Sequence, residues 1–366
     1  MEILRVKTSA KHPKKALICY IPQSHTLPLD HPNFIGHSNF QECRMLINTL
    51  AEQGYACDVV NWNEDARQLI GANYDLAIVM RYQIEYSKQL VHEKGKVVFY
   101  SAHCHWLYHN NAEYSRIYQL QKRRQISILP RRQINPIPLE DQVDAIWYLG
   151  NDFHKDTYQH LKMPKYKLNI STVKTHHAPK KDISEGSLNH FLWFGSAGAV
   201  HKGLDWLLEI FSRNKQLHLH VCGLVELEKD FCSAFHKELF ESPNIHFHGW
   251  ILPNTKEFKQ LCDQCSFVVS PSSAEGGGGA TLQCMGMGLI PIVTNANSVD
   301  VDLCGFKTKT DTLEDLELLL KDLKYIERAE LFKKMTSAIA QVENKHTLEA
   351  YKASLMEGLA YLNTDW

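Results

Sequence analysis

The second half of the chain contains the stretch SPSSAEGGGG, residues 270–279, followed by ATLQCMGMG, residues 280–288. Apolar runs flank it, Phe267–Val269 before and Leu289–Thr294 after, and such runs are typical of buried strands. The pattern predicts a strand, a glycine loop, a short helix and a second strand. Backbone amides at a helix start attract phosphate, and Glu275 can accept hydrogen bonds from sugar hydroxyls. A flexible surface turn is the alternative, but loops at strand ends hold ligands in open α/β sheets.

A second small-residue loop opens this half of the chain, in HFLWFGSAGAVHKGLD, residues 190–205. A predicted strand ends at Gly195 and Ser196, and a predicted helix begins close to Lys202. The small residues let a phosphate approach, and the lysine supplies positive charge. The glycine spacing differs from the dinucleotide fingerprint, so no nicotinamide site is predicted. The alternative for Lys202 is a solvated side chain at a helix end.

Composition is that of an ordinary globular protein. The 366 residues suffice for two domains, with 44% apolar and 22% charged residues. A net charge of −1 gives no general argument for nucleic-acid binding. The first residues lack the apolar core of a signal peptide, and no apolar run approaches the ~20 residues of a membrane span. Ten scattered cysteines favour reduced thiols and a cytoplasmic location.

Apolar runs recur along the whole chain and predict a parallel-sheet protein. A helix beginning at 37–41 lies between the first two runs, and Ser38 and Gln41 have capping-box spacing. Residues 163–190 change in character and predict an interdomain connection. The predicted strands are 16–21, 55–60, 76–79, 97–100 and 145–149 in the first half, then 190–194, 217–222 and 245–249.

Two histidines, His103 and His105, follow the predicted strand 97–100, where α/β folds place functional groups. They could equally pack against Trp106. A zinc site with His109 is conceivable, but no carboxylate partner lies close in sequence. Cys262 and Cys265 have metal-like spacing, yet no second pair lies nearby, which favours core packing.

Six basic residues lie in the segment 116–132, interleaved with apolar ones. Such a segment can bind an anionic membrane surface or an anionic acceptor. A solvated helix face explains the same pattern. The basic residues are Arg116, Lys122, Arg123, Arg124, Arg131 and Arg132.

The motifs of the second half, in this order, resemble those of the retaining GT-B glycosyltransferases of family 4. The resemblance implies two Rossmann-like doubly wound parallel-sheet domains facing across a cleft. It implies an acceptor domain at 1–177 and a donor domain at 178–347, with the helix 348–366 crossing back to the first. Two positions depart from the family pattern: Ser196 stands where Arg is common, and Gln283 stands where a second Glu is usual.

The resemblance also implies site roles. The catalytic residues would be Glu275, His103 and Lys202. Donor contacts would come from Gly195, Ser196, His201, Lys202, Trp250, Ile251, Glu275, Gly276, Gly277, Gly278, Gly279 and Gln283, and the acceptor side from Gly36, His37, Ser38, Asn39 and His105. The co-substrate would be a UDP- or GDP-sugar, with no metal and no bound cofactor. The acceptor would be a glycan or lipid-linked, in bacterial surface polysaccharide or glycolipid assembly, with the protein cytoplasmic or peripheral on the inner membrane face.

Two other functions fit parts of the pattern. A sugar-nucleotide epimerase shares the architecture, but it needs acid/base carboxylates, and the sequence offers no convincing set besides Glu275. A non-catalytic partner subunit is favoured by Ser196 and Gln283. The presence of Lys202, Glu275 and the full glycine loop argues against that reading.

Overall fold

The structure, a computed structural model, describes residues 2–362. Its chain forms two compact units. Within the described residues, the first unit comprises residues up to 104, 135–173 and those from 345 onward, and the second comprises 105–134 and 174–344. Residues 105–134 thus lie with the second unit, whereas the predicted domain range 1–177 includes them. The domain ranges 1–177 and 178–347 remain predictions.

Thirteen strands lie within residues 2–362, seven in the sheet of the first unit and six in that of the second. They are β1 (Leu4–Val6), β2 (Lys14–Tyr20), β3 (Tyr55–Asn61), β4 (Tyr74–Val79), β5 (Val91–Ser101), β6 (Ala145–Leu149), β7 (Lys165–Leu168), β8 (His190–Gly195), β9 (His218–Gly223), β10 (Ile245–Gly249), β11 (Phe267–Ser270), β12 (Ile290–Val293) and β13 (Phe306–Lys307).

Twelve α-helices lie in the same described residues. They are α1 (Gln23–Thr26), α2 (Pro32–Gly36), α3 (Ser38–Glu52), α4 (Trp106–Arg124), α5 (Asp152–Asp156), α6 (Leu204–Arg213), α7 (Lys229–Ala234), α8 (Lys256–Gln264), α9 (Gly279–Gly286), α10 (Leu313–Asp322), α11 (Arg328–Lys345) and α12 (Leu348–Leu362). None of them combines the length and the hydropathy that a membrane span needs.

The first unit contains a seven-stranded sheet in the order β1-β3-β2-β4-β5-β6-β7. Only β1 is antiparallel, and it pairs with β3. The predicted apolar strands all form. In addition, β7 forms inside the segment predicted as a connection, where it pairs with β6. Lys165 and Lys167 interrupt the apolar pattern, so the sequence did not predict this strand. Charged side chains are common on an exposed sheet edge.

The first long helix, α3, begins at Ser38, and the predicted capping box is wrong. His37 is the N-cap, and no side-chain cap hydrogen bond forms. The amide of Gln41 instead donates to the backbone oxygen of Phe34 at 2.9 Å. Because α2 ends at Gly36, immediately before α3, Gln41 satisfies a carbonyl of that preceding turn rather than the start of its own helix.

The final described helix, α12, packs within the first unit against α3 and β7. The hydroxyls of Tyr351 and Tyr100 lie 3.1 Å apart, and the backbone amide of Asn169 donates to Ser354 Oγ at 3.1 Å. This helix covers the predicted returning helix as far as residue 362. Residues 363–366 of that prediction lie outside the described residues.

The second unit contains a six-stranded, wholly parallel sheet in the order β10-β9-β8-β11-β12-β13. Successive strands run outward from β8 in one direction and from β11 in the other. This confirms the predicted fold class of doubly wound parallel-sheet units. In such sheets ligands bind at the carboxyl ends of the two strands where the order reverses. Those strands, β8 and β11, carry the two loops singled out in the sequence.

Five histidines form a ladder on one face of this sheet, across β8, β9 and β10. Ring nitrogens of His190 and His220 lie 2.8 Å apart, and those of His220 and His248 lie 3.0 Å apart. A parallel pair joins His218 to His246 at 3.2 Å. Burial, followed by repulsion among the rings, lowers the pKa of His220 to about 3. Burial likewise lowers the pKa of His190, His246 and His248, which favours their neutral form.

Because His220 is buried, with only 4% of its surface exposed, we expect the folded protein to lose stability in acid. The folded pKa of His220 lies below the ordinary 6.5, so its stabilising effect is complete above that pH and is lost as pH falls toward 3. Between pH 8 and pH 5 we expect a loss of about 2 kcal/mol in the free energy of unfolding from this residue. Urea unfolding at both pH values measures it.

The variant His220→Leu should remove that part of the pH dependence, because it removes the titrating group. The exposed His12→Gln serves as the control and should retain it. An unchanged pH dependence in His220→Leu would show that the ladder does not govern acid stability.

Candidate active site

The loops that follow β8 and β11 meet at an ion pair. Lys202 Nζ lies 2.8 Å from Glu275 Oε2, and Ser272 Oγ donates to the same oxygen at 3.2 Å. The side chains are 11% and 17% exposed, respectively. Because β8 and β11 are adjacent and parallel, their carboxyl ends reach the same sheet edge. The structure thus brings together two residues that the sequence placed in separate motifs.

The carboxylate of Glu275 is held in its ionised form. Burial opposes ionisation, but the charges of Lys202, Arg132 and His201 outweigh it and lower the pKa of Glu275 to about 2. Its backbone amide donates to Ala296 O at 2.9 Å. At neutral pH this group is an acceptor of hydrogen bonds and a weak base.

Gly203 makes the close approach of the two loops possible. It is the N-cap of α6 and has φ +72°, in the left-handed region. A Cβ at this position would lie 2.4 Å from the backbone oxygen of Pro271. The glycine beside Lys202 therefore serves packing between the loops, and it keeps Lys202 within reach of Glu275.

The predicted glycine loop and the short helix after it are both present. Gly276, Gly277 and Gly278 are buried, Gly278 has φ +70°, and Gly279 is the first residue of α9. Gln283 lies on this helix and is 5% exposed. The loop therefore has the strand-to-helix context expected of a phosphate or sugar site.

The backbone amides of the first loop are partly used by a buried carboxylate that the sequence did not reveal. Glu228 Oε1 accepts from the amides of Gly198 and Ala199 at 2.6 and 3.1 Å. Burial raises the pKa of Glu228, and the two amide hydrogen bonds oppose that rise. These amides are consequently satisfied within the protein, while Ser196, which follows the buried Gly195 at the end of β8, is exposed.

His201 connects helix α4 to the Glu275 loop. Its Nδ1 lies 2.7 Å from Glu113 Oε2, and its Nε2 lies 3.0 Å from the backbone oxygen of Ala274. The side chain is 1% exposed. The structure thus gives this residue, predicted as a donor contact, a supporting position behind the loop.

Glu113 was missed in the sequence because it lies 88 positions before its partner. The available signal was its i,i+4 spacing from His109, which would place both side chains on one face of a helix. His109 stacks on His201, with ring centroids 4.5 Å apart. Burial, the charge of His201 and that of Arg132 lower the pKa of His109 to about 3. Burial opposes ionisation of Glu113, but His201 and two backbone amides keep its pKa below the ordinary value.

Four arginines of the basic segment 116–132 donate hydrogen bonds to acceptors inside the second unit. Arg116 is 4% exposed, lies 3.5 Å from the centre of the Trp206 ring, and donates to Pro271 O at 3.1 Å. Three further arginines are ion-paired, Arg123 with Asp205 at 2.7 Å, Arg124 with Glu238 at 2.6 Å and Arg131 with Asp230 at 2.5 Å. Membrane contact by this segment stays a prediction.

The residues predicted to contact the nucleotide base follow β10. The ring of Trp250 stacks on Phe194, with centroids 5.4 Å apart and planes 12° apart. Ile251 packs against the same apolar cluster, which also contains Cys262 and Cys265. No group of three or more histidines, cysteines or carboxylates within residues 2–362 has the geometry of a metal site.

The predicted acceptor-side residues lie mainly in the first unit. Gly36 ends α2, and His37, Ser38 and Asn39 lead into α3. The backbone oxygen of His103 accepts from Ser101 Oγ at 2.8 Å and from Tyr158 OH at 2.9 Å. His105 is the N-cap of α4 and belongs to the second unit. The roles of these residues stay predictions.

Comparison with known proteins agrees with this geometry. Residues 189–316 match the family model described as glycosyl transferases group 1. The sucrose-phosphate synthase of Thermosynechococcus elongatus is 12% identical, with a TM-score of 0.64 over 96% of this chain and 98% of its own. A Rickettsia africae glycosyltransferase is 11% identical, with a TM-score of 0.63 over 98% and 100%. No protein of curated function matches the chain significantly in sequence.

A third similar structure is Anabaena HepE in complex with UDP-glucose. It is 12% identical, with a TM-score of 0.60 over 96% of this chain and 100% of its own. The chain therefore has the GT-B fold of these glycosyltransferases. Its residues 189–316, which contain the Lys202–Glu275 pair, match the model of the group 1 glycosyltransferases.

The packing of Gly203 predicts that Gly203→Ala destabilises the second unit. An alanine would adopt an unfavourable φ and collide with the rigid backbone of Pro271. We expect a loss of about 1–3 kcal/mol in the free energy of unfolding, measured by urea denaturation. The control is Gly186→Ala, where nothing lies within 4 Å of the added Cβ. Equal stability of the two variants would contradict the close approach.

Proposed function

We propose that this protein transfers a sugar from a nucleotide-diphosphate sugar to an acceptor hydroxyl, with retention at the anomeric carbon. The observation that carries the proposal is the Lys202–Glu275 pair at the carboxyl ends of β8 and β11. It lies beside a buried glycine loop, in residues that match a glycosyltransferase family. The cation suits a diphosphate and the carboxylate suits sugar hydroxyls.

Lys202 has the role of stabilising the leaving diphosphate. As the bond from the anomeric carbon to the phosphate oxygen breaks, its electron pair moves onto that oxygen. A preorganised cation there lowers the barrier, because it acts on charge that develops in the transition state. Without a donor, Glu275 accepts from the same ammonium group and keeps it oriented.

Glu275 has the role of positioning the sugar. A carboxylate with a pKa of about 2 is a poor general base near neutral pH. The acceptor oxygen would attack on the face from which the diphosphate departs, and the acceptor proton would pass to the leaving phosphate. The same low pKa disfavours the epimerase alternative, because epimerisation needs a carboxylate that exchanges protons.

The similar structures suggest which substrates to test. HepE was determined with UDP-glucose and TarM with UDP. WaaG is described as acting in lipopolysaccharide biosynthesis. We therefore propose a UDP-sugar as the first donor to test, with a GDP-sugar as the alternative, and a glycan or lipid-linked acceptor in surface polysaccharide or glycolipid assembly. A cytoplasmic location and a reaction without a metal ion are part of this proposal, as are the acceptor-side roles of His103, His105 and residues 36–39.

Substitution of the ion pair should separate binding from turnover. We expect Lys202→Ala to lower kcat by at least about 100-fold, because stabilisation of the leaving group is lost, and to weaken UDP binding. Glu275→Gln should lower kcat by a similar factor and leave UDP affinity nearly unchanged, because it contacts the sugar. Donor turnover and calorimetric titration with UDP, GDP, ADP and CMP measure both effects.

The control for these variants is Lys237→Ala, an exposed lysine on the same unit. Near-normal turnover in either ion-pair variant would remove these residues from the reaction. If the unmodified protein bound none of the four nucleotides, the non-catalytic partner subunit would become the better reading.

A further inference from the structure

The donor site has a charge deficit that the two loops do not fill. Residues 195–201 contain no lysine or arginine. Lys202 is already paired with Glu275 at 2.8 Å, and the amides of Gly198 and Ala199 already donate to Glu228. A diphosphate carries at least two negative charges, so it needs a further cation.

Arg132 lies against this loop, although it comes from a segment some 65 positions earlier in the chain. Gly198 has φ +96°, and a Cβ there would lie 2.5 Å from Arg132 Cγ and 2.8 Å from its Cδ. The absence of a side chain at Gly198 therefore gives the arginine its place. Its positive charge also reaches Glu275, whose pKa it helps to lower.

The backbone of Arg132 is fixed on both sides. Its amide donates to Glu113 Oε1 at 3.2 Å, and its carbonyl oxygen lies 2.6 Å from His109 Nε2. Both partners are buried on α4. The adjacent Ile134 is held by two hydrogen bonds to the side chain of Asn110. The arginine therefore extends from a rigid support.

The guanidinium of Arg132 differs from its neighbours in what it contacts. Arg116, Arg123, Arg124 and Arg131 all donate to carboxylates or to a backbone oxygen. Among residues 2–362, no acceptor lies within hydrogen-bonding distance of the Arg132 guanidinium. Arg132 is half-buried and extends from a rigid support, and its guanidinium makes no hydrogen bond within the described part of the chain. Such a group is suited to binding an anion, because its planar fork matches phosphate geometry.

We propose that Arg132 binds a phosphate group of the donor nucleotide, beside Lys202, and so supplies a cation that residues 195–201 lack. This inference rests on the proposed function and adds a residue from outside the matched segment 189–316. It assigns Arg132, and not its ion-paired neighbour Arg131, to the donor site.

The test compares uridine, UMP and UDP, and the guanosine series in parallel, by calorimetric titration of the unmodified protein and of Arg132→Gln. We expect about 10- to 100-fold weaker binding of the diphosphate in the variant, because charge-assisted hydrogen bonds to phosphate are lost, while binding of the nucleoside is unchanged. Arg132→Lys should recover part of the affinity, since it keeps the charge but not the fork.

The control is Arg131→Gln, which removes a neighbouring, ion-paired arginine and should leave diphosphate affinity unchanged. Equal diphosphate affinity in Arg132→Gln and the unmodified protein would overturn the role of Arg132 and leave the proposed function standing. An equal loss for nucleoside and diphosphate would show a structural role and would also overturn it. Failure of the unmodified protein to bind any of these nucleotides would overturn both proposals.

Discussion

The parallel pairing of β8 with β11 is the constraint on which the candidate site depends. These central strands of the second sheet are adjacent and parallel, so each of them places one loop at the same edge of the sheet. The approach is then tightened at Gly203, where only hydrogen fits against Pro271 O. Lys202 and Glu275 meet because the backbone has already brought their loops together.

A second layer of contacts holds the loops from behind. The backbone amide of Ser273 donates to His201 O at 2.8 Å, and the imidazole of His201 links Glu113 to Ala274 O. These contacts immediately precede Glu275 in the chain. The carboxylate is thus positioned by buried neighbours on one side and by Lys202 on the other, which is the arrangement that a preorganised site requires.

The sequence was informative wherever a feature is local. Apolar runs located the strands of both sheets except β1, β7 and β13, and the glycine loop with its flanking strands located the Glu275 loop. It failed where structure depends on distant partners. Arg123 pairs with Asp205, 82 positions away, and Arg124 with Glu238, 114 positions away. An arginine-rich helix that covers its own protein and one that faces a membrane have similar sequences, because the difference lies in acids elsewhere in the chain.

The departures at Ser196 and Gln283 illustrate the same limit at the site itself. A motif records which residues lie in one segment, whereas a phosphate responds to the charges around it, whatever their position in the chain. Glycine at 198 leaves room beside the loop, and the side chain that lies against it is that of Arg132. The segment 195–201 on its own contains no lysine or arginine, but the folded chain places the cationic side chain of Arg132, from a distant segment, beside it.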